Sequence, residues 1–184
     1  MEAFWISTGI VALAEIGDKT QLLALVLAAK YRKPVPIILG ILVATLLNHA
    51  VAGYFGVWFA ATIGEQMLKW ILGISFIAMA GWMLIPDKLD DEEEKPARFG
   101  VFLTTLIAFF IVEIGDKTQV ATVFLAAKYA DVIAVVAGTT VGMMLANVPA
   151  VLLGDVAAKK LPMRLVHGAV AVVFLVLGLV ILFN

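Results

Sequence analysis

The chain has 184 residues, of which 63% are hydrophobic and 15% charged, with a formal net charge of −1 and a mean hydropathy of +1.06. This composition excludes an ordinary soluble domain and is typical of an integral membrane protein. The absence of cysteine also excludes disulfides and thiolate metal sites.

Apolar runs near the length of a spanning helix, about 20 residues, occur six times. They predict an all-α integral membrane protein with short loops and no separate soluble domain. The predicted transmembrane helices cover residues 3–29, 35–60, 67–85, 99–127, 132–154 and 164–183.

Basic residues in the connections predict the orientation of these helices. Nine lysines and arginines fall in the first, third and fifth connections, whereas only Lys69 and Lys128 fall on the alternate side. Because basic loops stay in the cytoplasm, both termini are expected outside it. The third connection, residues 87–98, is rich in acids and is expected to be a solvated cytoplasmic linker, with attraction of cations as the alternative.

A seven-residue string, EIGDKTQ, occurs at residues 15–21 and again at 113–119. A shift of 98 residues aligns 15–31 with 113–129 at 12 identities in 17 positions. The chain is therefore predicted to consist of two repeats, 1–86 and 99–184, joined by the linker 87–98. Since three spans per half is an odd number, the second repeat is expected to be inverted, as in many secondary transporters.

Both strings lie near the middle of apolar runs, where isolated charges cost about 3 kcal/mol each. On a continuous helix Glu15, Asp18 and Lys19 project from one side and Thr20 points elsewhere. Gly17 allows either close helix approach or a local break that frees carbonyl oxygens.

If the two strings cross, they offer an all-oxygen site to a metal ion. Manganese, calcium and magnesium prefer such ligands to the sulfur and imidazole favoured by copper and zinc. Four carboxylates balanced by Lys19 and Lys117 leave the charge of one divalent cation, and carboxylates so close should also take up protons. The predicted ligands are the carboxylates of Glu15, Asp18, Glu113 and Asp116, with Gln21, Gln119, Thr20 and Thr118 as additional candidates.

Three further polar residues lie within the predicted spans. Asn48 and His49 fall midway along the second span, and the shift of 98 residues pairs His49 with Asn147. They are candidates for outer ligands or a proton relay, and interhelical hydrogen bonds are an equal alternative.

The paired Glu-x-Gly-Asp-Lys-Thr segments in a duplicated six-span chain resemble the Gdt-type cation/proton exchanger family, which includes bacterial manganese exporters and Golgi calcium/manganese transporters. The resemblance covers essentially the whole chain. It implies that Glu15, Asp18, Glu113 and Asp116 bind the ion, with Lys19, Thr20, Lys117 and Thr118 completing the motifs. It further implies proton-coupled export of manganese, with calcium next, across a bacterial inner membrane.

Other classes of protein remain open at this point. An intramembrane aspartyl protease would use Asp18 and Asp116, and a structural subunit would use the strings as an ion-pair clasp between helices. Export of another small solute is a third alternative. The prediction is a transporter rather than an enzyme, with protons and Mn²⁺ or Ca²⁺ as its partners, no resident cofactor and no nucleic acid.

Overall fold

A computed structural model describes residues 1–85, 100–153 and 163–183, with the side chains of 163–167 excepted. These residues form helices and short connections, which confirms the all-α prediction. The acidic linker 87–98 lies outside the described residues. In chain order the helices are α1 Glu2–Glu15, α2 Lys19–Tyr31, α3 Pro34–Thr62, α4 Glu65–Trp82, α5 Gly100–Glu113, α6 Lys117–Tyr129, α7 Val132–Leu153 and α8 Met163–Phe183.

Four predicted spans correspond to single helices, α3, α4, α7 and α8, with ends that agree within three residues. The spans 3–29 and 99–127 are each predicted as one transmembrane segment, with a local break at Gly17 left open, and the structure divides each of them at its EIGDKTQ string. Gly17 and Gly115 adopt φ angles of 78° and 75°, in the left-handed region where glycine is favoured. Of the two roles predicted for Gly17, the structure has the local break.

Two helices in the described part of the chain, α3 and α7, are long and apolar enough to cross a membrane. The surface also has the polarity expected of a protein in lipid. Val51 and Trp58 on α3 are 67% and 61% exposed, whereas His49 on the same helix is fully buried. Polar side chains therefore face the protein interior and large apolar ones face outward.

The first helix of each half packs against the long helix of the other half. Thus α1 packs against α7 and α5 against α3, while α3 contacts α7 and α4 contacts α8. Glycine permits this close approach: a Cβ atom at Gly40 would lie 2.9 Å from the carbonyl oxygen of Phe102 in α5. Gly138, 98 residues later, faces the main chain of Phe4 in α1 in the same way. The two EIGDKTQ strings are consequently held in the centre of the bundle.

Candidate cation site

The two helix breaks place acids at equivalent positions in both halves. Glu15 is the last residue of α1 and Asp18 is the N-cap of α2. Glu113 and Asp116 occupy the same positions between α5 and α6. Because the carboxyl end of a helix carries partial negative charge, each break presents a glutamate beside main-chain dipoles that attract a cation.

Three of these acids come together across the two halves. Glu15, Glu113 and Asp116 each offer a carboxylate oxygen, and these oxygens lie within 4.8 Å of one another. All three side chains are buried, with 0%, 0% and 2% exposure. Asp18 is equally buried and interacts electrostatically with Glu113, but it lies outside this group of three.

The threonines of the two strings face the glutamates. The hydroxyl of Thr20 donates to Oε2 of Glu15, so the expectation that Thr20 points elsewhere was wrong. That expectation assumed an unbroken helix, whereas the break turns the first residues of α2 back toward the end of α1. In the second half the Thr118 hydroxyl lies 3.4 Å from Oε2 of Glu113 and 3.3 Å from Oδ2 of Asp116.

The lysines lie at the edge of the acidic group. Nζ of Lys19 is 2.6 Å from Oδ1 of Asp116, which links α2 to the other half by an ion pair. Nζ of Lys117 donates to the main-chain carbonyl of Ile85 at 3.0 Å. This use of Ile85 could not be predicted from the sequence, since a main-chain carbonyl leaves no side-chain signal.

The glutamines link each break to the opposite half. The side-chain oxygens of Gln21 and Gln119 accept hydrogen bonds from the main-chain N–H of Gly17 and Gly115, at 2.8 Å and 2.7 Å. Their amide nitrogens donate to the carbonyl of Ala146 at 3.0 Å and to Oδ1 of Asn48 at 3.5 Å, respectively. These two acceptors are 98 residues apart, so the arrangement repeats in both halves.

The three secondary candidates differ in their surroundings. Asn48 donates to the carbonyl of Phe110 in α5 at 3.2 Å, an interhelical hydrogen bond, whereas Asn147 donates to the carbonyl of Met143 within its own helix at 3.1 Å. His49 is fully buried, and its Nε2 atom lies 3.9 Å from Oε2 of Glu113. Of the three, His49 is therefore the one placed beside Glu113, although, like Asp18, it lies outside the group of three acids.

The chemistry of this cluster suits a hard cation. Oε1 of Glu15 and Oε1 of Glu113 are buried and have no hydrogen-bond partner within the described ranges. A buried carboxylate is costly unless it is paired, protonated or bound to a metal. Oxygen atoms so arranged can accept either protons or an ion such as Mn²⁺, Ca²⁺ or Mg²⁺.

Comparison with known proteins gives one family. The family model described as "Divalent cation/proton antiporter GDT1" matches residues 3–91 and 101–184. A Vibrio cholerae protein named "Putative manganese exporter" is 55% identical over 180 residues, which cover 97% of this chain and 90% of that protein. "GDT1-like protein 5" of Arabidopsis thaliana is 26% identical over 220 residues, with 97% and 94% covered. No solved structure matches the chain.

The matches extend over both halves and include both EIGDKTQ strings. They identify a membrane transport protein for cations and not an enzyme, which excludes the aspartyl protease that Asp18 and Asp116 left open. The resemblance noted from the repeated strings is thereby confirmed: the chain belongs to the divalent cation/proton antiporter GDT1 family.

Proposed function

We propose that this protein exports Mn²⁺, and also Ca²⁺, from the cytoplasm in exchange for protons. The observation that carries the proposal is the group formed by Glu15, Glu113 and Asp116, which are buried and come from both halves of the chain. Asp18 completes the proposed ligand set from the edge of this group. The name of the Vibrio cholerae relative favours manganese as the principal substrate.

The exchange of the divalent ion for protons follows from the charge of the site. Carboxylates whose oxygens lie within 4.8 Å of one another repel each other in a low-dielectric interior, and a bound divalent cation or bound protons relieve this repulsion. When the divalent ion leaves, protons take its place, and when the ion returns, protons are released. Binding of ion and protons is thus mutually exclusive, as an antiporter requires.

The membrane potential favours a stoichiometry in which two protons enter for each divalent ion that is exported. Moving two positive charges outward against an inside-negative potential costs about 4.6 kcal/mol per 100 mV. The inward movement of two protons cancels this cost, and a pH gradient then drives export. The proposed location is the bacterial inner membrane, with both termini outside the cytoplasm, because basic residues are concentrated in the first, third and fifth connections.

Six spans arranged as two inverted repeats supply the alternating access. The exchanged packing of α1 on α7 and α5 on α3 supports this arrangement. So does the equivalence of the glutamine contacts in the two halves. In this scheme α1 with α2, and α5 with α6, each form one interrupted span, and the ion binds where the two interruptions meet.

An ion-pair clasp is the second candidate, and the contact between Lys19 and Asp116 favours it. A clasp, however, requires one base for each acid. The strings contain Glu15, Asp18, Glu113 and Asp116 against two lysines, so acids outnumber bases two to one. The excess of acid supports a cation site.

The test is transport of Mn²⁺ by purified protein in liposomes with an imposed pH gradient. Wild-type protein should move Mn²⁺ in one direction and protons in the other, and Glu113→Gln should reduce this flux by at least about tenfold, because it removes a ligand charge. Glu65→Gln is the matched control, since Glu65 is exposed in the first turn of α4.

Two outcomes would contradict the proposal. Manganese flux that ignores the pH gradient would exclude proton exchange, and full flux in Glu113→Gln would exclude Glu113 as a ligand. A double variant, Asp116→Asn with Lys19→Met, addresses the clasp because it removes both members of the observed ion pair: retained transport in that variant would exclude Asp116 as a ligand and favour a structural role for the strings.

A further inference from the structure

His49 brings an imidazole to the edge of the carboxylate group, beside Glu113. It lies on α3, is fully buried, and points Nε2 toward Oε2 of Glu113 at 3.9 Å. Neither ring nitrogen has a hydrogen-bond partner among the residues described. A buried imidazole without partners is costly unless another group binds it.

The spacing between His49 and Glu113 suits two ligands of one metal ion. In an octahedral site with bonds of about 2.1 Å, adjacent ligand atoms lie about 3.0 Å apart and opposite ones about 4.2 Å apart. The observed 3.9 Å lies between these two values and is too long for a direct hydrogen bond. The two atoms are therefore close enough to be bridged by one ion after a small movement of either side chain.

The other half of the chain provides a natural comparison. The residue equivalent to His49 is Asn147, whose amide nitrogen donates to the carbonyl oxygen of Met143 at 3.1 Å and lies 2.9 Å from its sulfur atom. That nitrogen is thus used within α7, whereas the ring of His49 faces the carboxylates. The two halves are alike in their acids and differ at this position.

We propose that His49 is a ligand of the transported ion and the residue that favours a transition metal over calcium and magnesium. The inference rests on the proposed function, since it requires an ion at Glu15, Glu113 and Asp116. Ca²⁺ and Mg²⁺ are bound by oxygen ligands, whereas Mn²⁺, which also prefers oxygen, is the first member of the transition-metal series whose affinity is increased by nitrogen ligands such as imidazole. One nitrogen in an oxygen site thus shifts selectivity toward Mn²⁺.

The same ligand preferences limit the selectivity that His49 can provide. Affinity for nitrogen-containing sites rises from Mn²⁺ through Fe²⁺ and Co²⁺ to Ni²⁺ and Cu²⁺. His49 therefore separates transition ions from Ca²⁺ and Mg²⁺, and does not separate Mn²⁺ from its neighbours in that series.

The test uses Mn²⁺ as a paramagnetic probe bound to purified full-length protein. Pulsed electron paramagnetic resonance should detect nitrogen coupled to Mn²⁺ in the wild-type protein. The coupling should disappear in His49→Asn, which copies the residue of the other half, and persist in His167→Asn, the variant of the only other histidine. The affinity for Mn²⁺ relative to Ca²⁺ should fall by about tenfold or more in His49→Asn.

A second measurement avoids any dependence on the folding of the variant. Wild-type protein labelled with ¹⁵N-histidine should show the coupling pattern of ¹⁵N in place of that of ¹⁴N. If Mn²⁺ binds, and Glu113→Gln prevents its binding, yet no histidine coupling is seen, the role of His49 is overturned while the carboxylate site stands. If wild-type protein binds no Mn²⁺, or binds it equally after Glu113→Gln, the proposed function itself fails.

Discussion

Lys19 forms an ion pair with one member of the acidic group. Its Nζ atom lies 2.6 Å from Oδ1 of Asp116, and Asp116 also belongs to the cluster with Glu15 and Glu113. The lysine and a bound ion would therefore compete for the same carboxylate. Because the side chain of Lys19 is 23% exposed, it has more freedom to move than the 2% exposed aspartate that it contacts.

Replacement of Lys19 by methionine should tighten the binding of Mn²⁺ and slow its release. The substitution keeps much of the side-chain length and removes a positive charge beside the proposed ligands, so the electrostatic attraction for a cation rises. Titration of purified protein with Mn²⁺ measures this affinity, and flux in liposomes measures the release.

Lys33→Met is the matched control for this prediction, because Lys33 is exposed at the N-cap of α3. It should leave Mn²⁺ affinity unchanged. Weaker binding in Lys19→Met than in wild type would mean that Lys19 organises the site and does not compete with the ion.

At the scale of the elements, the helix breaks determine where the acids of the two strings lie. The main-chain N–H of Asp116 returns to the carbonyl of Glu113 at 3.1 Å, and the same contact joins Asp18 to Glu15. Each break thus places a glutamate at a helix end and an aspartate at the start of the next helix. The left-handed glycine between them makes this turn possible.

Gly115→Ala should lower stability without a steric clash. No atom lies within 4 Å of the position that its Cβ would occupy, but its φ angle of 75° is unfavourable for alanine by about 1 to 2 kcal/mol. Thermal unfolding in detergent should therefore begin at a lower temperature, and Mn²⁺ flux should fall as the break is distorted.

Gly9→Ala provides the comparison, because Gly9 lies within α1 and also has no atom within 4 Å of a Cβ position. Alanine is favoured there over glycine, so stability should be unchanged or higher. Equal stability of Gly115→Ala and Gly9→Ala would contradict a requirement for the left-handed conformation.

The sequence predicted the helical segments well and the breaks poorly. Hydropathy located α3, α4, α7 and α8 because their apolar runs are uninterrupted. It averages over longer windows than the three residues between α1 and α2, so the division of the first span did not appear. The error about Thr20 had the same origin, since a continuous helix turns that hydroxyl away from Glu15, whereas the observed break turns it toward Glu15.

The sequence also predicted only part of the candidate site. An exact repeat of seven residues indicated which acids belong together, and Glu15, Glu113 and Asp116 do meet. Contacts to main-chain carbonyls, such as those of Ala146 and Ile85, depend on how the helices pack and have no side-chain pattern. The sequence could therefore indicate the acids but not the groups that hold them.

At the scale of the whole molecule, each half packs its first helix against the long helix of the other half. Glycines 98 residues apart allow this contact. Such packing means that neither half has a complete interior by itself. The proposed ion site likewise requires both halves, since its acids come from both of them.

The proposed inversion of the repeats makes a direct prediction for labelling. Lys33 and Asp131 are 98 residues apart, exposed, and each precedes the long helix of its half. The chain has no cysteine, so a single cysteine can be introduced at either position. In intact cells Asp131→Cys should react with an impermeant maleimide, and Lys33→Cys should react only after the membrane is opened.

Each variant serves as the control for the other, because the two positions are equivalent in sequence. Reaction of both from the same side would contradict the inverted arrangement. Reaction of Lys33→Cys alone from outside would keep the inversion and reverse the proposed orientation.

Gln21 and Gln119 each connect a helix break to the opposite half of the bundle. Each amide group bonds to the bend of its own interrupted helix with one end and to the facing half with the other. If the halves slide against each other during the proposed exchange, these bonds transmit the movement to the glycine peptides between the acids and so change the shape of the proposed ion site. One such bond contributes only about 0.5 to 1.5 kcal/mol, so thermal agitation is enough to make and remake it during each turnover.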